Sequence, residues 1–147
     1  MGINDLGGIL FVSNKLIKEE IGDVSVSFYL RKEEQFELNI SEQRTEDVAG
    51  EQLENCFNSE VIENVCNANK KCNVDELVSM GLQCNPIILK ETWAQTLPLE
   101  QMGASVGFIL IYSSIARKLS EEQINLITSI TPGLSKAIVC SQAILHV

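Results

Sequence analysis

The chain has 147 residues, 45% hydrophobic and 21% charged, with a formal net charge of -9 at pH 7. That length fits one globular domain, residues 1–147, with a core of its own. The acidic balance disfavours nucleic acid, whose phosphates reward Lys and Arg, and equally an anionic membrane surface.

The first predicted element is a helix. Leu6, Ile9, Leu10, Leu16, Ile17 and Ile21 fall near one helical face, with Lys15, Lys18, Glu19 and Glu20 on the other. Gly22 is placed to cap its C-terminus. Val24 to Leu30 then alternates: Val24, Val26, Phe28 and Leu30 on one side, Ser25, Ser27 and Tyr29 on the other. That pattern predicts a half-buried strand. The charged cluster Arg31 to Glu34 turns the chain into a second strand through Phe36, Leu38 and Ile40.

The middle reads as helical. Asn58 or Ser59 caps a short helix with Val61, Ile62, Val65 and Cys66 facing inward. Asn73 with Glu76 forms a capping-box start for Val74, Leu77 and Val78, stopped at Gly81. Proline disfavours helix in the residue before it, so Asn85-Pro86 predicts an extended turn, followed by one or two strands over Ile87 to Leu97. Ser120 with Gln123 opens a long last helix carrying Ile124, Ile127, Ile130, Leu134, Ile138 and Ile144 at helical spacing. Pro132 lies in its middle and removes a backbone donor. The apolar phase survives across it, which predicts a continuous, kinked helix rather than two.

Residues that would carry chemistry are few. There is one histidine, His146, and no paired CxxC, HExxH, glycine-rich phosphate loop or GxSxG elbow. The five cysteines form no regular framework and read as reduced thiols. No catalytic residue and no metal ligand set is assigned. No stretch approaches the roughly 20 apolar residues of a membrane span. The short apolar run Ile9 to Val12 lacks the flanks of a signal peptide, so a cytoplasmic protein is expected.

From Trp93 to Ile144 the chain reads WAQTLPL, a polar turn EQMGAS, VGFILIYSS, then ARKLSEEQINLITSITPGLSKAIVCSQAI. This order resembles the C-terminal half of a GAF domain, the small sensory module of signalling proteins. In that family a vPL strand end, a glycine, an iGvl strand and a Phe-Thr-Glu-Glu helix start recur. The first helix, followed by FYL, a charged turn and FEL, resembles the family's N-terminal part. The resemblance implies an α+β sandwich: a central antiparallel sheet with the terminal helices on one face and the middle helices and loops on the other. It also implies a ligand pocket on the second face. By strand alternation Ser27 and Tyr29 are pocket candidates, and Trp93, the lone tryptophan, is a candidate roof.

The resemblance suggests a regulatory, non-catalytic module that binds a small molecule and relays it through the terminal helices. Bilin-binding members attach the chromophore to a cysteine typically followed by His; here Cys56 precedes Phe57, and Cys66, Cys72 and Cys84 precede asparagines, which disfavours bilin. Cyclic-nucleotide members carry an Asn-Lys…Phe…Asp-Glu signature. Asn14-Lys15 and Asn69-Lys70 occur here, but Asp75-Glu76 comes too soon, so a cyclic nucleotide is disfavoured too. Members that reduce free methionine sulfoxide place cysteines in Gly- and Asp-rich contexts that this chain lacks. An interaction module of profilin, roadblock or longin type is the alternative from another class. The last helix carries more apolar residues than one sheet face buries. A homodimer through the terminal helices, at Ile127, Leu134 and Ile138, is therefore expected.

Overall fold

The computed structural model describes residues 6–22, 24–32, 35–42 and 53–145. Helix α1 (Leu6–Ile21) ends on Gly22, which has a φ of 81° and donates its N–H to the Lys18 carbonyl at 2.8 Å. Strands β1 (Ser25–Lys32) and β2 (Gln35–Glu42) follow as an antiparallel pair, as the alternation predicts. After a single 3-10 turn (Leu53–Cys56) come α2 (Ser59–Ala68), the two-residue strand β3 (Cys72–Asn73) and α3 (Val74–Ser79). Then α4 (Pro86–Glu91) leads directly into β4 (Thr92–Gln101), β5 (Ala104–Ser114) and α5 (Glu121–Leu145). The strands make one five-stranded sheet in the order β2-β1-β5-β4-β3, and every pairing is antiparallel.

Three helix starts follow their side chains. Asn58 accepts the Val61 N–H at 3.0 Å. Asn73 and Glu76 exchange the two bonds of a capping box, at 2.9 and 3.1 Å. Ser120 and Gln123 do the same at the head of α5. One expectation is corrected. Residues 86–91 are a helix rather than a strand, because Asn85 takes the extended conformation that Pro86 demands of it (φ -56°, ψ 125°) and then caps Ile87. Proline is favourable at the first helical position, where its missing N–H is not needed.

The sheet separates two cores. On one face Ile17 and Ile21 of α1 and Ile127, Leu134 and Ile138 of α5 pack on Val26, Phe28, Leu30, Leu97, Leu99, Ile109 and Ile111. On the other, the middle helices place Val61, Val65, Cys66 and Leu77 over Tyr29, Ala94, Phe108, Leu110 and Tyr112. Both faces of β1 are therefore covered, and every residue from Val24 to Leu30 is buried. The half-buried strand of the sequence reading is corrected to a fully buried one, since Ser25, Ser27 and Tyr29 face helices rather than solvent. Where β1 meets β5, Gly107 sits at φ 148° opposite Leu30. A Cβ there would overlap the Tyr29 carbonyl oxygen, so the close approach of these two strands needs glycine.

Helix α5 runs unbroken through Pro132. Proline leaves the Thr128 carbonyl without its usual donor, and the Thr131 hydroxyl donates to that carbonyl at 2.8 Å. The side chain thus replaces the missing backbone bond, and the apolar stripe continues on one face.

Candidate functional site

The helix-covered face of the sheet opens at one end into a polar cleft of about 370 Å³. Its walls come from three places: Arg31 at the end of β1, Glu63, Cys66, Asn67 and Asn69 along the last turns and cap of α2, and Gly103 and Ser105 of the β4–β5 hairpin. Strand parity puts Arg31 on the same face as Ser27 and Tyr29, two residues beyond the tyrosine. Helix α2 buries Val61, Val65 and Cys66, so its inner stripe is apolar until the last turn, where the asparagines begin. Asn69 ends the helix in the left-handed conformation (φ 51°) and donates its backbone N–H to the Val65 carbonyl at 3.1 Å. Its side-chain Nδ2 donates to Glu100 Oε1 at 3.0 Å.

Two buried polar atoms in this cleft are not satisfied. Asn69 Oδ1 and Ser105 Oγ are buried and have no hydrogen-bond partner of ordinary geometry among the described residues. Leaving such a group unpaired costs about 1–3 kcal/mol. Beside them, burial pushes the Cys66 thiol up to about 12, with the Ser105 hydroxyl and the Arg31 charge pulling only weakly the other way. The Cys72 thiol is also raised, again mainly by burial.

The sequence-predicted ligand residues do not converge on one site. Ser27 and Tyr29 share the helix-covered face, both buried, and the Tyr29 ring stacks on Phe108 at 4.7 Å and on Phe57 at 5.4 Å. Trp93 lies on the opposite face, packed against the core beneath α1 and α5. The expectation that it roofs a pocket beside Tyr29 is corrected: odd-numbered residues of β4 point to the terminal helices, even-numbered ones to the middle helices. The predicted dimer residues are corrected as well. Ile127, Leu134 and Ile138 are 2%, 6% and 0% exposed within the single chain, held against the sheet. Among the described residues, the exposed large apolar side chains of the two terminal helices are instead Phe11, Val12, Leu16, Leu126 and Val139. His146 lies outside the described residues.

No family model matches the sequence, and no curated protein matches it. Among solved structures, the GAF domain/HD domain protein from Geobacter sulfurreducens aligns with a TM-score of 0.72 at 10% identity, over 97% of each chain. The GAF domain of a two-component sensor histidine kinase from Bacillus halodurans aligns at 0.69 and 13% identity, over 95% of this chain and 97% of that one. This chain has the GAF fold. The same GAF architecture is shared by a type II free methionine-R-sulfoxide reductase from Thermoplasma acidophilum, with a TM-score of 0.60 at 19% identity over 91% of this chain and 95% of that one. Burial, which pushes the Cys66 thiol up to about 12, keeps it protonated at neutral pH. Among the described residues no three His, Cys, Asp or Glu side chains gather as metal ligands.

Proposed function

We propose that the chain is a regulatory, non-catalytic sensory module. It binds a small molecule on the sheet face covered by the middle helices and relays the bound state to α1 and α5 on the other face. The carrying observation is the layering. Strand β1 sends Tyr29 and Arg31 toward the cleft face and Phe28 and Leu30 into the core under the terminal helices. A shift of β1 on binding is therefore felt on both sides of one sheet. The likeness to the GAF domain of a sensor histidine kinase supports the same reading. The protonated state of Cys66 supports its non-catalytic half. Free cysteines support a cytoplasmic location, and among the described residues no helix is long and apolar enough to cross a membrane.

Native mass spectrometry of freshly purified protein tests the sensory reading. A non-covalently retained small molecule is the expected result. A bare chain whose melting temperature no metabolite raises would overturn it. A partner-binding module is the second reading, favoured by the exposure of Phe11 (63%), Val12 (48%) and Leu16 (51%) on α1. That exposed surface also supports a homodimer through the terminal helices, the arrangement through which α1 and α5 would pass a signal on.

A further inference from the structure

We propose that the cleft between α2 and the β4–β5 hairpin binds a small zwitterion of the α-amino-acid class, its ammonium held by Glu63, Asn69 and Ser105 and its carboxylate by Arg31. This deepens the sensory reading and rests on it.

The argument begins with what the cleft lacks. Of its two unsatisfied buried atoms, Asn69 Oδ1 and Ser105 Oγ, the amide oxygen can only accept, so the group missing beside it is a donor, and the hydroxyl oxygen can accept from the same group. The Asn69 amide cannot simply be reversed to hide its oxygen, because its Nδ2 is committed to the Glu100 carboxylate and a flipped amide would set oxygen against oxygen. A primary ammonium supplies three donors from one compact atom, enough for Asn69, Ser105 and one carboxylate oxygen. Glu63 lines the same cleft and provides that carboxylate together with the opposite charge. A neutral hydroxyl or amide ligand would satisfy the acceptors without engaging the Glu63 carboxylate.

The rest of the lining selects the other half of the ligand. Arg31 lines this cleft, and its planar guanidinium suits a carboxylate's two oxygens. Among the described residues the lining has one cation and one anion, a poor host for a polyphosphate, which needs several positive charges. Among the described residues the lining has no aromatic ring on which a nucleobase or bilin could stack. At about 370 Å³ the space lies at the small end of ligand clefts, enough for one amino acid and some water. The Cys66 thiol in the wall stays protonated at neutral pH, so capture is reversible and no covalent step is implied.

The test is saturation-transfer NMR of the intact chain with the proteinogenic L-amino acids, each at about 1 mM. The expected result is transfer to one or a few of them, weakened at least about tenfold, or about 1.4 kcal/mol, for the matching des-amino acid and the matching amine. Glu63→Gln and Arg31→Gln should each weaken binding by a similar factor. Both positions are exposed, so neither change endangers the fold, and Ser105→Ala adds a third, independent probe. Silence from every amino acid, or full binding by a des-amino analogue or by Glu63→Gln, would sink the proposal and leave water as the occupant of the cleft. If native mass spectrometry meanwhile shows a retained molecule of another class, the sensory reading survives and this one does not.

Discussion

The cysteines show how far identity alone carries at the scale of single residues. All five read from the sequence as plain thiols; the fold sorts them, with Cys56, Cys66 and Cys72 buried, Cys84 half-buried and Cys140 exposed. For Cys66 burial outweighs the neighbouring Arg31 charge and keeps the thiol protonated. Alkylation of the folded protein with iodoacetamide at neutral pH should therefore modify Cys140 first and Cys84 more slowly. The three buried thiols should react only after denaturant is added, a sequence that peptide mass mapping reads directly. Fast labelling of Cys66 in the native state would mean a thiolate is present, and would revive a thiol-catalysed reaction. Trp93 and Tyr29 mark what residue identity could not reveal. Alternation groups each strand's residues into two sets, but which set faces which helices depends on partners far away in the chain.

Among the helices and strands, the capped starts were legible because a cap is a local contact between residues two or three apart. Helix α4 was not, since the same pre-proline rule that makes Asn85 extended also suits a helix that begins at Pro86. In α3 the cap carries a pH dependence. The Glu76 carboxyl is held below its ordinary value of 4.5, first by the Asn73 backbone N–H and then by Lys70. A carboxyl with a depressed folded value contributes stability that is present above its unfolded pKa and lost as pH falls through the folded one. The protection factors of residues 74–79 against amide exchange, referred to the intrinsic rate at each pH, should accordingly fall on acidification below the usual carboxylate range. Glu76→Ala should remove that pH dependence and weaken the α3 start. Helix α5 offers a sharper test of its own device. Thr131→Val should destabilise the protein by about 1 kcal/mol, because the Thr128 carbonyl loses the hydroxyl that stands in for Pro132. In a Pro132→Ala background the restored backbone N–H takes over, and the same change should cost about half as much or less. Equal costs in both backgrounds, measured by urea unfolding, would refute the substitution of hydroxyl for amide.

For the whole molecule, the layering was legible because two apolar helices bracket an alternating sheet in the sequence. The polar cleft was not, because Arg31, Asn69 and Ser105 come from three segments that meet only when β1 and β5 pair and α2 crosses them. The dimer expectation divides along the same line. Surplus apolar surface exists, but the interface residues expected from the sequence, Ile127, Leu134 and Ile138, are buried within the single chain. Ile138 is 0% exposed, so a charge there would unfold the core instead of reporting on association. Val12 and Leu16 lie one helical turn apart on α1 at 48% and 51% exposure, and a two-fold axis beside them would bury each twice. Covering an exposed Val or Leu contributes about 1–2 kcal/mol. Val12→Glu with Leu16→Glu should thus weaken the proposed dimer by at least about 3 kcal/mol, roughly a hundredfold in dissociation constant. Multi-angle light scattering at micromolar concentration should then give twice the chain mass for the natural protein and a single chain mass for the double variant, with unchanged circular dichroism. A natural protein that elutes as a monomer, or a double variant that keeps the dimer mass, would end the claim and leave α1 as a surface for a different partner.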